Sequence, residues 1–484
     1  MTDTPRRERS PGMKLLFVAL IGAVLTIPLL LIYALVYDRQ DQSQTAQAAI
    51  NAGWGGPQVI AGPVIVVPFR TTQTQNEEIG GKAVTRTVEV EKFLYISPTE
   101  NRATTAIAPQ ERTKSIYRSV LYEAKVSGKA SFALPDDLPR FGVTRERLLW
   151  DRAQLRMGVS DARGLTTGGT LSANGKALAL QPGKGPAATG GAGFFAFLPW
   201  NGEGTLTIDY GFGLRGSRSL SLVPRGGQTS WAVSSSWQSP SFNGDFLPER
   251  RTISDAGFTA NYAVDKLALG QAPVMMEDPG PPMIDNGNGR VTSIDVRESA
   301  AYVGSASDPT SGGAMEVVGG ASRALSIDLV EPVNLYSKVT RAVKYGFLFI
   351  GFTFLAFFLF DIVGGARVAA AEYLLTGAGL ILFFVLLLAF AEVIGFTSAY
   401  LLASAAIIGL LTAYSAAVLG SWSRARFIGA LLVGLYALLF VLLNLEAWSL
   451  LIGAVLLFAA LAGVMYATRK VDWGAVGRRE ASEA

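Results

Sequence analysis

The chain contains no cysteine and no histidine among its 484 residues. The first absence excludes disulfides, thiol nucleophiles, zinc fingers and haem attachment through Cys. The second excludes the HExxH metal site and any Ser-His-Asp triad. A domain exported to an oxidising compartment is permitted disulfides. Any such domain here must be held by its core alone. Charge is also scarce, at 17% of residues with a net of +4. That excess is too small to point to nucleic acid once the charges are placed.

Catalytic motifs are missing as well. No GxSxG occurs, and no Ser stands three residues before a Lys. The Gly-Lys pairs beginning at Gly81, Gly128, Gly175 and Gly183 are never followed by Ser or Thr, so there is no P-loop. Ser127 and Lys129 form an SxK that reads as two outward residues of a strand. Glu277, Asp278, Asp285 and Asp295 match no calcium-loop spacing. No metal, cofactor or catalytic residue is therefore expected.

What the chain has is apolar runs. Residues 15–36 are almost all apolar and follow Arg6, Arg7, Arg9 and Lys14. The run is long enough to span a bilayer and lacks the small-residue cleavage site of a signal peptide. An uncleaved anchor is expected. The stretch 330–361 opens with an amphipathic run carrying Tyr336, Val339 and Val343 at helical spacing, with Lys338, Arg341 and Lys344 between them. From Tyr345 to Phe360 no charge appears. Candidate spans follow at 345–363, 374–391, 399–419, 427–443 and 449–466, giving a bundle of five after the anchor.

Lys and Arg set the orientation. With the N-terminus inside, Arg367, Arg424, Arg426, Arg469, Lys470, Arg478 and Arg479 fall in the cytoplasm. The two outside connections, 393–396 and 444–448, have no Lys or Arg. Residues 38–344 are thereby placed outside. Asp361, Glu372, Glu392, Asn444 and Glu446 sit at span ends, where they can reach the headgroups. Thr353, Thr376, Thr412 and Ser415 are expected to bond their own helix backbones. Ala405, Gly409, Ala413 and Ala417 recur every four residues and predict a packing face.

The middle reads as a large antiparallel β-sandwich, so the fold class is an α+β membrane protein. Strands are expected at 59–69, 85–96, 119–134, 152–159, 205–214, 219–223, 229–237, 257–264 and 324–329. The Gly62-Pro63 pair interrupts the first, and 144–151 reads as one or two helical turns. Residues 270–322 are rich in Gly, Pro, Asp and Ser and read as a flexible insertion, with a short strand at 291–296. On this reading, deletion of 278–288 is tolerated. Two polar segments stand out. One is VSDARGL at 159–165, with Asp161 and Arg163. The other is PSFNGDFLP at 240–248, where Phe242, Asn243, Asp245 and Phe246 surround an Asn-Gly turn signal. Each reads either as a structural turn or as a recognition loop.

Those segments also carry a resemblance. GPVIVVPF at 62–69, VSDARGL, PSFNGDFLP and SDAGF at 254–258 resemble the CreD family of bacterial inner-membrane proteins. So do the run 344–361, the run 372–392 and TRKVDW at 468–473. The resemblance covers nearly the whole chain, with 270–322 longer than the family norm. It implies a plasma-membrane protein linked to envelope integrity and stress, in some bacteria to a two-component system and β-lactam response. It implies no reaction. Expected partners are the lipid bilayer and an envelope protein or cell-wall component, with no nucleic acid and the oligomeric state left open. A transporter or lipid-handling protein, and a cell-wall or lipid hydrolase, remain as alternatives.

Overall fold

The computed structural model describes residues 11–79, 82–114, 116–285, 291–293, 321–330, 335–362, 368–444 and 449–469. The chain divides into two compact units, one of Met1–Thr45 with Val333–Ala484 and one of Ala46–Pro332.

The second unit is built of strands. In order they are β1 (Gln58–Ile79), β2 (Lys82–Ile96), β3 (Glu100–Lys114), β4 (Tyr117–Phe132), β5 (Gln154–Val159), β6 (Thr170–Ala173), β7 (Lys176–Ala177) and β8 (Gln181–Pro182). Then come β9 (Gly193–Phe197), β10 (Leu206–Ser217), β11 (Ser219–Val223), β12 (Gln228–Ser235), β13 (Pro240–Gly244), β14 (Arg250–Ser254) and β15 (Gly257–Val264). A single helical turn, Lys266–Leu269, precedes β16 (Val274–Met275), β17 (Met283–Asp285), β18 (Val291–Ser293) and β19 (Leu325–Leu329). One sheet runs β13-β19-β11-β1-β5-β9-β8, with β2 on β1 and β16 on β2. The other runs β14-β15-β12-β3-β4-β10-β6-β7.

Inward residues of both sheets form one core. In β3, Asn101, Ala103, Thr105 and Ile107 are buried while Arg102, Thr104, Ala106 and Ala108 alternate outward, the period-2 pattern of a sheet with one wet face. Trp231, Tyr122 and Phe132 are fully buried at its centre. The Trp231 indole stacks on Tyr262 and donates to Thr105 Oγ1 at 2.9 Å, which satisfies its one polar atom.

The sheets are not purely antiparallel, which corrects the expectation. β1 pairs parallel with β11, and β3 with β12. The chain leaves one sheet for the other at 97–99 and again at 224–227. These crossings lie side by side, with Gly227 N on Pro98 O at 2.9 Å and Gln228 N on Thr99 O at 3.0 Å. The strands that follow them, β3 and β12, must then run the same way.

Other corrections concern length. β1 does not end at Phe69 but continues through polar residues to Ile79, hydrogen-bonded to β2 throughout. Gly62-Pro63 causes a register shift against β5, not a break. Residues 144–151 hold two 3-10 turns, Arg145–Arg147 and Trp150–Arg152. The start of the 270–322 stretch is part of the fold. Val274 is buried, β16 extends the first sheet, and Asp278 forms a buried ion pair with Arg225. Residues 286–290 and 294–320 lie outside the described residues, as does the rest of the strand expected at 291–296.

The first unit is helical. It holds α1 (Pro11–Ala52) as far as Thr45, α3 (Leu335–Lys344), α4 (Gly346–Ile362), α5 (Ala370–Ile394), α6 (Phe396–Val418), α7 (Trp422–Asn444) and α8 (Ser449–Thr468), with α2 reserved for the turn Lys266–Leu269. Among the described residues, five helices are long and apolar enough to cross a membrane, α3 and α4 counting as one. α8, of 20 residues, continues the series. One core joins Leu25 and Val36 of α1 to Val339, Phe383, Tyr400 and Tyr436. The amphipathic face predicted for 335–344 is present, with Val339, Ala342 and Val343 buried.

The predicted packing face of α6 points the wrong way. Ala405, Gly409, Ala413 and Ala417 are exposed, and a Cβ on Gly409 meets nothing within 4 Å. The buried face is Ala399, Ala403, Ile407, Leu411 and Ser415. The tight glycine is Gly377 on α5, where a Cβ would come within 2.1 Å of Leu25. Of the four hydroxyls expected to bond their own helices, Ser415 does so, to Leu411 O at 2.6 Å. Those of Thr353, Thr376 and Thr412 are buried without a hydrogen-bond partner among the described residues. Arg6, Arg7, Arg9, Val363, Arg367, Glu446, Lys470, Arg478 and Arg479 lie outside the described residues.

Candidate functional site

The segment at 159–165 is a turn held by a buried glutamine. Gln58 opens β1 and is fully buried. Its Nε2 donates to Arg215 O at 2.9 Å and Asp161 O at 3.2 Å, and its Oε1 accepts from Asp161 N at 3.2 Å. Ser160 Oγ accepts from Val59 N at 2.9 Å. Asp161 then caps the 3-10 turn Ala162–Gly164 by accepting from Arg163 N at 3.0 Å, the usual work of an Asp before a turn. Gly164 must be glycine, because a Cβ there would stand 2.3 Å from Arg215 O.

Asp161 is 7% exposed. Burial pushes its carboxyl pKa up, but the hydrogen bonds from the Arg163 guanidinium and backbone, with the positive charge, outweigh this and hold it below the usual carboxylate range. The lowered value means the group stabilises the fold above its unfolded pKa. That contribution disappears as pH falls through the folded value. The Arg163 guanidinium donates to both Asp161 oxygens at 2.9 Å but is itself 68% exposed, so the pair adds little beyond orienting the turn.

The second segment is not a tight turn. Asn243 and Gly244 end the edge strand β13, which pairs with β19. Phe242 is 9% exposed and packs edge-on against Phe258. Asn243 Nδ2 donates to Asp328 Oδ2 at 2.7 Å. Burial pushes the Asp328 carboxyl pKa up, and this hydrogen bond is the largest of the effects opposing it. Asp245 Oδ2 accepts from Ala324 N at 2.7 Å, while its own N–H donates to Ala324 O at 2.8 Å. Phe246 packs against the core beneath the Arg323 guanidinium. Phe242, Asn243, Asp245 and Phe246 thus each have a partner within the β domain, while Leu247 is exposed. The two segments do not come together, since one flanks β10 in the second sheet and the other edges the first.

What the turn at 161–165 does frame is a groove that no local motif announced. Leu165 bridges Leu214, and Thr166 N donates to Gly213 O at 3.0 Å. This seats Thr166, Thr167 and Gly168 as a wall over the outer face of the second sheet. The groove has a volume of about 960 Å³, and its opposite wall is the β14–β15 hairpin, which carries SDAGF. Strand register places one row of side chains across the groove, from the β14–β15 wall over the floor to Gly213. Thr252 lies opposite Thr259, Thr259 opposite Ser234, Ser234 opposite Ala106, Ala106 opposite Lys125, and Lys125 opposite Gly213. All but Gly213 are exposed. Five strand spacings make the row roughly 24 Å long.

The floor is low at Ala106, which has almost no side chain, and Gly213 lets the Thr166 side chain seat directly on its strand. The lip is rich in hydroxyls. Glu123 contributes a carboxylate, held by Arg215 at 3.1 Å. No cluster of three or more metal-binding carboxylates exists among the described residues. The sequence held no signal for this site, because its residues are ordinary outward positions of six strands. Only register aligns them.

The helical unit offers an apolar groove of about 320 Å³ between α1 and α4, lined by Gly22, Thr26, Gly351 and Phe354 among others. At helix ends, Glu392 accepts from Tyr336 at 3.1 Å and Lys338 donates to Asn444 at 3.2 Å.

Comparison with known proteins bears on the whole chain. No solved structure matches it. The inner membrane protein CreD of Escherichia coli strain K12 is 31% identical over 468 residues, covering 94% of this chain and 92% of that one. The family model described as inner membrane protein CreD matches residues 10–474. The matches span the N-terminal apolar helix, the two-sheet β domain and the apolar helices of this chain alike, and the chain belongs to the CreD family of inner membrane proteins.

Proposed function

We propose that this chain is a non-enzymatic binding protein supporting envelope integrity. On this reading the β domain lies in the periplasm and the groove on the second sheet holds an envelope partner or cell-wall component. The groove carries the proposal. It is large, preformed by paired strands, and walled by a turn whose hydrogen bonds are made internally. Binding is favoured over hydrolysis because glycosidase-type chemistry needs two facing carboxylates. The groove supplies one, and Arg215 already holds it. A transporter draws less support, since among the described residues the buried polar side chains of α4, α5 and α6 carry hydroxyls and no charge.

The periplasmic placement rests on the Lys/Arg asymmetry of the short connections. Reporter fusions after Gln44 and Ser421 are expected to report outside and inside respectively, and the opposite result would overturn it. The groove is tested by Ala106→Trp. Ala106 points away from the core, so the indole fills the trough without entering the fold. The variant is expected to unfold like the parent, within about 0.5 kcal/mol, yet fail to restore envelope-stress resistance to a strain lacking the chain. Full restoration at equal protein level would remove the groove from consideration.

A further inference from the structure

The groove also specifies a class of ligand, and this inference rests on the binding role proposed above. Its floor strands β12, β3, β4 and β10 are each paired on both sides. Their backbone donors and acceptors are therefore spent, and the groove runs across them. An extended peptide lying there could not add a strand, so its own backbone groups would go unpaired. What the groove presents instead is side-chain hydroxyls, those of Thr252, Thr259 and Ser234 along the row and Thr166 at its end. Each hydroxyl both donates and accepts, which matches a polyol.

Between the hydroxyls, Ala106 leaves the middle of the floor low enough for a sugar ring to rest on, while the space over Gly213 is taken by Thr166. The remaining member of the row is Lys125. It is exposed and makes no ion pair with any described residue. Glu123, two residues away on the same face, is already matched by Arg215. The row thus has one uncompensated positive charge among neutral hydroxyls. We infer that the groove binds a carboxylate-bearing polysaccharide, laid across the strands with a carboxylate on Lys125 Nζ and ring hydroxyls on the threonines and Ser234.

The test uses the full chain in detergent and three soluble probes: oligogalacturonate, a neutral maltodextrin of equal length, and polyglutamate. Oligogalacturonate is expected to bind, with maltodextrin and polyglutamate at least tenfold weaker. Lys125→Gln should weaken oligogalacturonate about tenfold, as loss of one charge-assisted hydrogen bond does, and Ala106→Trp should abolish binding. Equal binding of polyglutamate would make the ligand an acidic peptide and overturn the inference. So would binding that ignores both substitutions, or no binding of oligogalacturonate at all. The two proposals fail separately. If Ala106→Trp loses complementation but no acidic glycan binds, the groove stands and the ligand class falls. If Ala106→Trp complements fully, the site itself falls.

Discussion

Replacing Asp278 with Ala is expected to destabilise the β domain by about 3–5 kcal/mol, the range for removing one partner of a buried ion pair. Arg225 sits on the crossing between β11 and β12 and is 3% exposed. Its Nη2 bonds Asp278, while its Nε and Nη1 are buried with no hydrogen-bond partner among the described residues. Without Asp278 the guanidinium remains buried with no opposite charge. The amide of Ala187, which donates to Asp278 at 2.6 Å, loses its acceptor as well. Urea unfolding of the full chain in detergent, followed by tryptophan fluorescence, measures the loss.

The control is Arg225→Met with Asp278→Leu, which removes both charges and is expected to recover most of the stability. A single variant within about 1 kcal/mol of the parent would mean that the pair does not clamp the 270s. The same geometry reverses the expectation from composition that 278–288 can be deleted. Such a deletion takes the carboxylate from Arg225 and should expose the β domain to protease.

Gln58→Leu is the second substitution with a large expected effect. Leu fills similar space but offers no hydrogen bond. Arg215 O and Asp161 O lose their Gln58 donor, Asp161 O keeping only Gly164 N, and Asp161 N loses its acceptor. Buried polar groups left unsatisfied cost about 1–3 kcal/mol each, so a loss of about 2–4 kcal/mol is expected after partial relaxation. The more telling consequence is local. The turn at 161–165 seats the Thr166–Gly168 wall, and without Gln58 its carbonyl anchor is gone. Hydrogen exchange should rise at Asp161 to Gly168 before it rises in β3 or β4. Uniform change across the sheet would show that Gln58 supports the core generally and not the wall.

Much of this protein was legible in its sequence, for reasons of chemistry that act locally. A run of apolar residues long enough to cross a bilayer needs no partner to be recognised, and helices lie at all six predicted spans. Strong strand formers such as 219–223 and 257–264 also announced themselves. β3 did not. Its buried positions are Asn101, Ala103, Thr105 and Ile107, and three of these are small or polar, so the alternation carries little hydrophobic contrast. The far half of β1 was missed because 70–79 is polar, and only the paired backbone of β2 makes it a strand.

Composition misled where a few residues outweighed the average. The Gly/Pro-rich 270s are held by the Asp278–Arg225 pair, the β16–β2 pairing, and hydrogen bonds from Ser97 N to Pro273 O and from Ala187 N to Asp278 Oδ2. The small-residue stripe of α6 predicted a contact that the structure places on the opposite face, because periodicity defines a stripe but not which side the neighbours occupy. The candidate site shows the limit most clearly. Thr252, Thr259, Ser234, Ala106, Lys125 and Gly213 lie on six strands spread over more than 150 positions of sequence. Nothing in their own neighbourhoods distinguishes them. They become a row only through the register of five strand pairings, and register is a property of the folded sheet.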